Sequence, residues 1–122
     1  MKEKGWGRII NLVSLQSRRA FPGGLSYGVS KGGVEQMTRA MAEAWSIDGI
    51  TINALAPGFF PTELTSAVFS DETRAQRNAE QTCMGRNGEL ADMAGPLLFF
   101  CSNASAYVTG QTLFVDGGFT AK

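Results

Sequence analysis

The segment Gly7–Ser14 most constrains the fold, because it has the composition of a strand buried on both faces. It reads G-R-I-I-N-L-V-S, a short apolar run bounded by Gly and Ser, without the spacing of an amphipathic helix. Such runs are typical of central strands in parallel sheets, which helices cover. In open α/β sheets, ligands bind beyond the carboxyl ends of the strands. The segment therefore predicts a parallel sheet with Ser14 at its ligand-binding edge.

Tyr27 and Lys31 form a Y-x-x-x-K pair after a polar, glycine-containing loop at Gln16–Ser26. On a helix, this spacing places the phenol and the ammonium on one face, within reach of each other. A fixed cation favours the phenolate, so a tyrosine in this setting can donate or accept a proton near neutral pH. The pair predicts a proton-transfer site for carbonyl–alcohol chemistry, with Ser14 alongside Tyr27. The alternative for Ser14 is a cap at the end of the strand.

Composition excludes several classes of function. The chain has 122 residues, with 11 basic and 11 acidic side chains, which predicts one domain at most and no preference for nucleic acid or anionic lipid. Its longest apolar stretch, near Pro96–Cys101, is far shorter than the ~20 residues of a membrane span. We therefore expect neither nucleic acid nor membrane as a partner.

The absence of histidine also limits the chemistry. Ser-His-Asp hydrolysis, Cys-His proteolysis and histidine-based zinc sites all need an imidazole, and the chain has none. Cys83 and Cys101 lack metal-binding spacing, so no metal site is predicted. They are expected to be reduced thiols of a cytoplasmic protein, and no signal peptide is evident.

The rest of the chain alternates helices with strands. Predicted elements are a helix at Tyr27–Ile47 ending at Asp48-Gly49, a strand at Ile50–Ala56, a helix at Glu89–Cys101 offset by Gly95-Pro96, and a strand at Gly110–Val115. Gly32 and Gly33 predict a close approach of the first helix to the sheet or to another subunit. Asn53 is expected to be a structural polar group.

The segment Phe59–Arg86 mixes polar and apolar residues and is predicted to be a mobile lid. Ser70 could cap a short helix within it. The alternative is an ordinary connecting helix.

Four motifs together carry a resemblance to a known family. They are I-I-N-L-V-S ending at Ser14, Y-G-V-S-K at Tyr27–Lys31, N-A-L-A-P-G at Asn53–Gly58, and V-D-G-G at Val115–Gly118. In this order and spacing the chain resembles the short-chain dehydrogenase/reductase family from about Gly7 to Gly118. Segments 57–64 and 113–120 are similar to those of gluconate 5-dehydrogenase-type sugar-acid enzymes, although related ketoreductases share much of them.

The resemblance covers only part of a family member. The glycine-rich T-G-x-x-x-G-x-G turn, the N-N-A-G segment and the family's catalytic Asn have no counterpart in the chain. We therefore expect residues 1–122 to be a partial NAD(P)-binding Rossmann domain, its catalytic half, without the N-terminal cofactor-binding half. The expected fold is α/β, about three strands of a doubly wound parallel sheet with helices on both faces. The side of the Ser14 strand away from Ile50–Ala56 should then be unpaired.

The resemblance implies an NAD(P)-dependent oxidoreductase that interconverts a secondary alcohol and a ketone, on a sugar acid such as gluconate or a 3-oxoacyl-type substrate. It implies that Ser14 orients the substrate oxygen and that Tyr27 is the general acid/base. Lys31 would favour the phenolate and contact the nicotinamide ribose. The cofactor is NAD or NADP, since the strand that selects between them is missing.

The resemblance also assigns a cofactor loop. Pro57 and Gly58 would lie against the nicotinamide, with the Phe60 backbone and the Thr62 hydroxyl meeting its carboxamide; the alternative for Pro57-Gly58 is a plain turn. Substrate contacts are predicted at Ser14, Tyr27, Glu63, Leu64 and Met84.

Two expectations about the whole molecule complete the prediction. The family implies a homodimer or homotetramer formed through the Tyr27 helix and the last strand, although core packing alone explains the apolar stripe of that helix. The isolated chain is expected to be inactive. The alternative function is a truncated, non-enzymatic chain that acts as an interaction module with an intact relative.

Overall fold

The computed structural model describes residues 1–122 and contains three strands and four α-helices, joined by loops and short 3-10 turns. In chain order the elements are β1 (Gly7–Leu12), α1 (Leu25–Trp45), β2 (Ile50–Pro57), α2 (Ser66–Phe69), α3 (Glu72–Glu80), α4 (Ala94–Cys101) and β3 (Thr112–Val115). The predicted order of helices and strands is confirmed. None of the helices combines the length and apolar character that crossing a bilayer requires.

β2 is the centre of a parallel sheet with the strand order β1-β2-β3. Its register pairs Gly7 of β1 with Ile50 and Ala54 with Thr112 of β3. Residues 50–56 are all buried, which explains why β2 is almost continuously apolar. β1 pairs with β2 alone, so its other edge presents backbone groups without a partner strand, as expected.

Helices cover both faces of the sheet. Ile9 of β1 packs against the same buried cluster, Ala42, Ile50 and Ile52, as Met41 and Trp45 of α1 do. Arg8 lies on the other face, because successive strand residues alternate, and its Nε donates to the Ser102 carbonyl just beyond α4, at 3.3 Å. The predicted Rossmann-type arrangement of the half-domain is therefore confirmed.

The core is small and lies mostly between α1 and the sheet. One cluster contains Ala42, Ile50 and Ile52, and a second contains Val13, Ala54 and Ala56. Only 19 of the 122 residues are buried, so much apolar surface remains exposed. That surface includes Leu25 and Val29 on the outer side of α1, at 84% and 71% exposure, and Leu12 at the end of β1.

Helix boundaries differ from the prediction in three places. α1 begins two residues early, at Leu25, and ends at Trp45 before a 3-10 turn. The predicted helix at 89–101 is divided: a 3-10 turn at Leu90–Met93 precedes α4, whose first turn accommodates Pro96 because no intrahelical N–H is needed there. The prediction that Ser70 caps a short helix was wrong. The carboxylate of Asp71 begins α3 instead, accepting from the Arg74 N–H at 3.1 Å.

Asn53 is a structural residue, as expected. It is 1% exposed, its Nδ2 donates to the Val108 carbonyl at 2.9 Å, and its Oδ1 accepts from the Gln111 N–H at 3.0 Å. These bonds attach the segment before β3 to the central strand.

Candidate active site

A cleft of about 720 Å³ lies at the carboxyl ends of β1 and β2. Most of the predicted site residues line it, namely Ser14, Tyr27, Pro57, Gly58, Phe60, Thr62 and Leu64. Its volume is in the usual range for small-molecule sites. The sequence-based placement of a ligand site at this edge therefore corresponds to a real concavity.

Ser14 lies two residues beyond the end of β1 and has both properties that the sequence allowed. Its Oγ caps the 3-10 turn Leu15–Ser17 by accepting from the Gln16 N–H at 3.2 Å. The hydroxyl hydrogen has no acceptor within the chain, so it is free to donate to a ligand in the cleft. A capping role and a ligand-binding role are thus compatible.

Tyr27 lies in the first turn of α1 and forms part of the cleft wall. Lys31 lies one turn further and is not on that wall. Its Nζ is 5.7 Å from the centroid of the Tyr27 ring and donates to the Leu12 carbonyl at 2.9 Å. The ammonium is therefore held between the phenol and the end of β1.

The glycine that permits close packing of α1 is Gly28. A Cβ there would lie 3.2 Å from the Gln16 carbonyl oxygen, next to the turn capped by Ser14. A Cβ on Gly32 would make ordinary contact, and one on Gly33 would meet nothing. The close approach predicted for Gly32 and Gly33 is thus absent within the chain.

The loop after β2 forms the floor of the cleft. Gly58 donates to the Val115 carbonyl at 2.9 Å, and a Cβ there would lie 2.7 Å from the Asp116 Cα, so this position requires glycine. Phe60 is buried, and its backbone N–H has no acceptor within the chain. Thr62 and Thr65 cap each other's backbone N–H groups. The loop is thus well ordered by local hydrogen bonds.

Three phenylalanines hold the rim of the cleft. The Phe59 ring lies 6.4 Å from that of Phe21 and 5.1 Å from that of Phe119, measured between centroids, and Phe21 stacks on Phe119 at 6.0 Å. This cluster joins the loop before α1 to the loop after β2.

Two predicted substrate contacts lie outside the cleft. Glu63 is exposed in the 3-10 turn Glu63–Thr65. Met84 lines a separate cavity of about 460 Å³, which shares Phe59 and Phe60 with the cleft. The structure brings the other predicted site residues together, with Lys31 immediately behind the wall.

One wall of the cleft is provided by α3, which was not predicted from the sequence to belong to the site. Arg74, Arg77, Asn78 and Gln81 line it at successive helical turns. Their spacing of three and four residues was visible in the sequence. A polar stripe of this kind ordinarily faces solvent, so the spacing alone could not distinguish a cleft wall from an outer surface.

An ion cluster lies behind Ser14. The Glu35 carboxylate, 3% exposed, accepts from Arg18 Nε at 2.7 Å and pairs with Arg39 at 3.3 Å. Burial raises the pKa of Glu35, but the hydrogen bond and charge of Arg18, helped by Arg39, outweigh it and lower the pKa. The cluster ties the loop after Ser14 to α1.

Comparison with known proteins assigns the family. The family model described as "Enoyl-(Acyl carrier protein) reductase" matches residues 1–120. The gluconate 5-dehydrogenase of Gluconobacter oxydans (strain 621H) is 42% identical over 120 residues, which are 98% of this chain and 47% of that protein. The chain belongs to the short-chain dehydrogenase/reductase family. The predicted membership is therefore confirmed.

Other members of the short-chain dehydrogenase/reductase family show the same relationship. The 2-dehydro-3-deoxy-D-gluconate 5-dehydrogenase of Escherichia coli (strain K12) is 42% identical over 119 residues, 95% of this chain and 46% of that protein. The crystal structure of a gluconate 5-dehydrogenase from Burkholderia cenocepacia J2315, in complex with NADP and tartrate, matches with a TM-score of 0.96 at 41% identity. That match covers 99% of this chain and 48% of the other. The chain spans about half the length of the curated relatives it matches.

Proposed function

We propose that this chain carries the catalytic residues of an NAD(P)-dependent oxidoreductase that interconverts a secondary alcohol and a ketone. The observation that carries the proposal is the convergence of Ser14 and Tyr27 on one cleft, with the Lys31 ammonium one helical turn behind the phenol. The names of the relatives favour a sugar acid, such as gluconate and its keto form. A 3-oxoacyl-type substrate is the other candidate.

The protein's own groups would handle the oxygen and its proton. In the direction of ketone reduction, the Tyr27 hydroxyl gives its proton to the carbonyl oxygen as that oxygen gains negative charge. The Ser14 hydroxyl, free to donate, holds the same oxygen in place. Lys31 stabilises the phenolate left on Tyr27, because its ammonium is held near the ring by the Leu12 carbonyl. In alcohol oxidation these proton movements reverse.

The floor of the cleft fits a nicotinamide. The Phe60 N–H lacks an acceptor within the chain, and Gly58 leaves no side chain between the floor and a flat ring. Phe60 and Thr62 would hold the carboxamide over Pro57 and Gly58, while Lys31 would contact the ribose hydroxyls. The bound cofactor supplies or accepts the hydride at the carbinol carbon.

Replacement of Tyr27 by Phe tests this proposal. We expect Tyr27→Phe to reduce turnover of gluconate with NAD(P) by about 100-fold or more in the protein purified from its source, since it removes the proton donor and little else. Tyr107, the other tyrosine, is fully exposed, so Tyr107→Phe is the matched control and should retain full activity. Undiminished turnover by Tyr27→Phe would contradict the proposed role.

We further propose that the 122-residue chain alone has no dehydrogenase activity, since the β1 edge is uncovered. Gluconate turnover by the isolated chain would refute this.

Both cysteines are free, which agrees with a cytoplasmic location.

The second candidate function is an interaction module, favoured by the exposed apolar side of α1. We propose that copies of the protein, or an intact relative, pair through α1 and β3. Val29→Asp should then shift the sedimentation coefficient towards that of a monomer, because a charge replaces an apolar contact. Tyr27→Phe should leave pairing unchanged, which separates pairing from catalysis. A monomer at all concentrations before mutation would contradict pairing between copies.

A further inference from the structure

The charge of the cleft is the feature that the proposed function leaves unexplained. Of the 20 residues that line the cleft, Arg74 and Arg77 are the only ones with a charged side chain, and no Asp or Glu is among them. The chain as a whole has a formal net charge of zero. The cleft is therefore locally cationic although the protein is not.

These two arginines differ from the others in having no partner. The chain has seven arginines. Arg18, Arg39 and Arg86 form salt bridges with carboxylates, while Arg8 and Arg19 lie over aromatic rings. Neither Arg74 nor Arg77 has a carboxylate within 4.0 Å or a ring beneath it. Two guanidinium groups thus line a ligand-sized cleft without compensating charge.

The helix that carries them is anchored from its other side. Ala79 is buried, and Asn87 Nδ2 donates to the Ala75 carbonyl at 3.0 Å. The spacing of three residues places Arg74 and Arg77 on one face of α3. Both side chains therefore leave the helix on the same face, and both residues line the same cleft as Ser14 and Tyr27.

We propose that Arg74 and Arg77 bind a carboxylate of the substrate and make the cleft selective for acids over neutral analogues. A guanidinium matches a carboxylate through paired, charge-assisted N–H···O bonds, and an unpaired cation in a concave site favours an anion over a neutral group. This inference rests on the proposed function, in which Ser14 and Tyr27 hold the reacting oxygen of the substrate. The carboxylate of the same substrate molecule would bind to α3.

Calorimetric titration of the 122-residue chain with D-gluconate and D-glucitol tests the inference. The two ligands share a six-carbon polyol chain and differ in one terminal carboxylate. We expect the chain to bind gluconate more tightly than glucitol. Arg74→Gln and Arg77→Gln should each weaken gluconate binding by about tenfold, the effect of losing one charge-assisted hydrogen bond, and leave glucitol binding unchanged.

The matched control is Arg8→Gln, which removes the same charge at the amino-terminal end of β1, away from the cleft. It should retain wild-type affinity for gluconate. Circular dichroism establishes that each variant is folded. Equal affinity for gluconate and glucitol, or no saturable gluconate binding to the folded chain, would overturn the inference. Unchanged gluconate binding by a chain that carries both Arg74→Gln and Arg77→Gln would overturn it too.

Inorganic phosphate is the second probe, because a phosphate group on a cofactor would also satisfy two arginines. Phosphate binding that exceeds gluconate binding and is lost in the same variants would overturn the assignment to a substrate carboxylate. No turnover is needed in these titrations. Arginine-dependent gluconate binding by the chain, with no dehydrogenase activity in the protein purified from its source, would contradict only the proposed function. Dehydrogenase activity of that protein without arginine-dependent gluconate binding would contradict only this inference.

Discussion

The Glu35 carboxylate joins the loop after Ser14 to α1, so replacing it by Gln tests whether charge holds these two parts of the site together. The change keeps the size of the side chain, and the amide oxygen can still accept from Arg18 and Arg39, but the negative charge between the two arginines is lost. A hydrogen bond to a charged group contributes about 1.5–3 kcal/mol. Both arginine side chains are about half exposed (54% and 47%), so we expect a loss of stability at the lower end of this range.

We therefore expect Glu35→Gln to lower the free energy of unfolding by about 1.5 kcal/mol at pH 7, measured by urea denaturation. Glu43→Gln is the matched control: Glu43 is exposed on the same helix and has no ion pair, so its change should stay within about 0.5 kcal/mol. A loss no larger than that of the control would refute the reasoning, since the cluster would then be an ordinary surface pair.

The pH dependence gives an independent check on the same residue. The pKa of Glu35 is lowered in the folded chain from its ordinary value of 4.5. A carboxylate of this kind stabilises the fold fully above the unfolded pKa, and the stabilisation is lost as the pH falls through the folded pKa. The stability difference between wild type and Glu35→Gln should be constant above about pH 5.5 and decrease below pH 4.5. A difference that grows on acidification would contradict the assignment.

Three further predictions concern other parts of the molecule. Ile52→Ala should lower the free energy of unfolding by about 3 kcal/mol, because Ile52 is fully buried, whereas Ile47→Ala, at 92% exposure, should have little effect in the same denaturation experiment. Gly58→Ala should destabilise the chain, because the added Cβ would clash with the Asp116 backbone. An added Cβ at Gly33 would contact no other atom, so Gly33→Ala should stabilise the helix by up to about 1 kcal/mol. Thermal melts of both variants would measure these changes. The hydrogen bonds of Arg86 and the Glu89 N–H lower the Asp92 pKa to about 2, so acid unfolding curves of wild type and Asp92→Asn should differ above pH 3.8 and converge towards pH 2.

Regular elements were predictable because their patterns are local. The apolar run of β1, the helical spacing after Tyr27 and the apolar β2 each carry their own signal, and their alternation predicts a parallel sheet. The segment after β2 was less predictable. Thr62 and Thr65 cap each other without the Glu or Gln that a capping box usually contains, and Asp71 takes the cap expected at Ser70.

The site was predictable where its residues follow strands. Ser14 and Pro57 reach the cleft because parallel strands end at the same edge. The α3 wall was not predictable, because its position depends on how the chain folds back after β2. A stripe containing Arg74 and Arg77 has the same appearance in the sequence whether it faces solvent or a cleft. Met84 was predicted to contact the substrate but lines the second cavity. Its position also depends on tertiary packing, which the sequence pattern does not reveal.

An edge strand, β1, carries much of the site. Ser14 lies two residues beyond the end of β1. Lys31 is held by the carbonyl of Leu12, the last residue of β1, which is itself 57% exposed. β1 has only one neighbouring strand, and edge strands open locally at lower free energy than central ones. Motion of β1 would displace the Ser14 hydroxyl and the Lys31 ammonium together relative to the sheet. Any strand that pairs with the free edge of β1 should therefore increase stability and order these two groups at the same time.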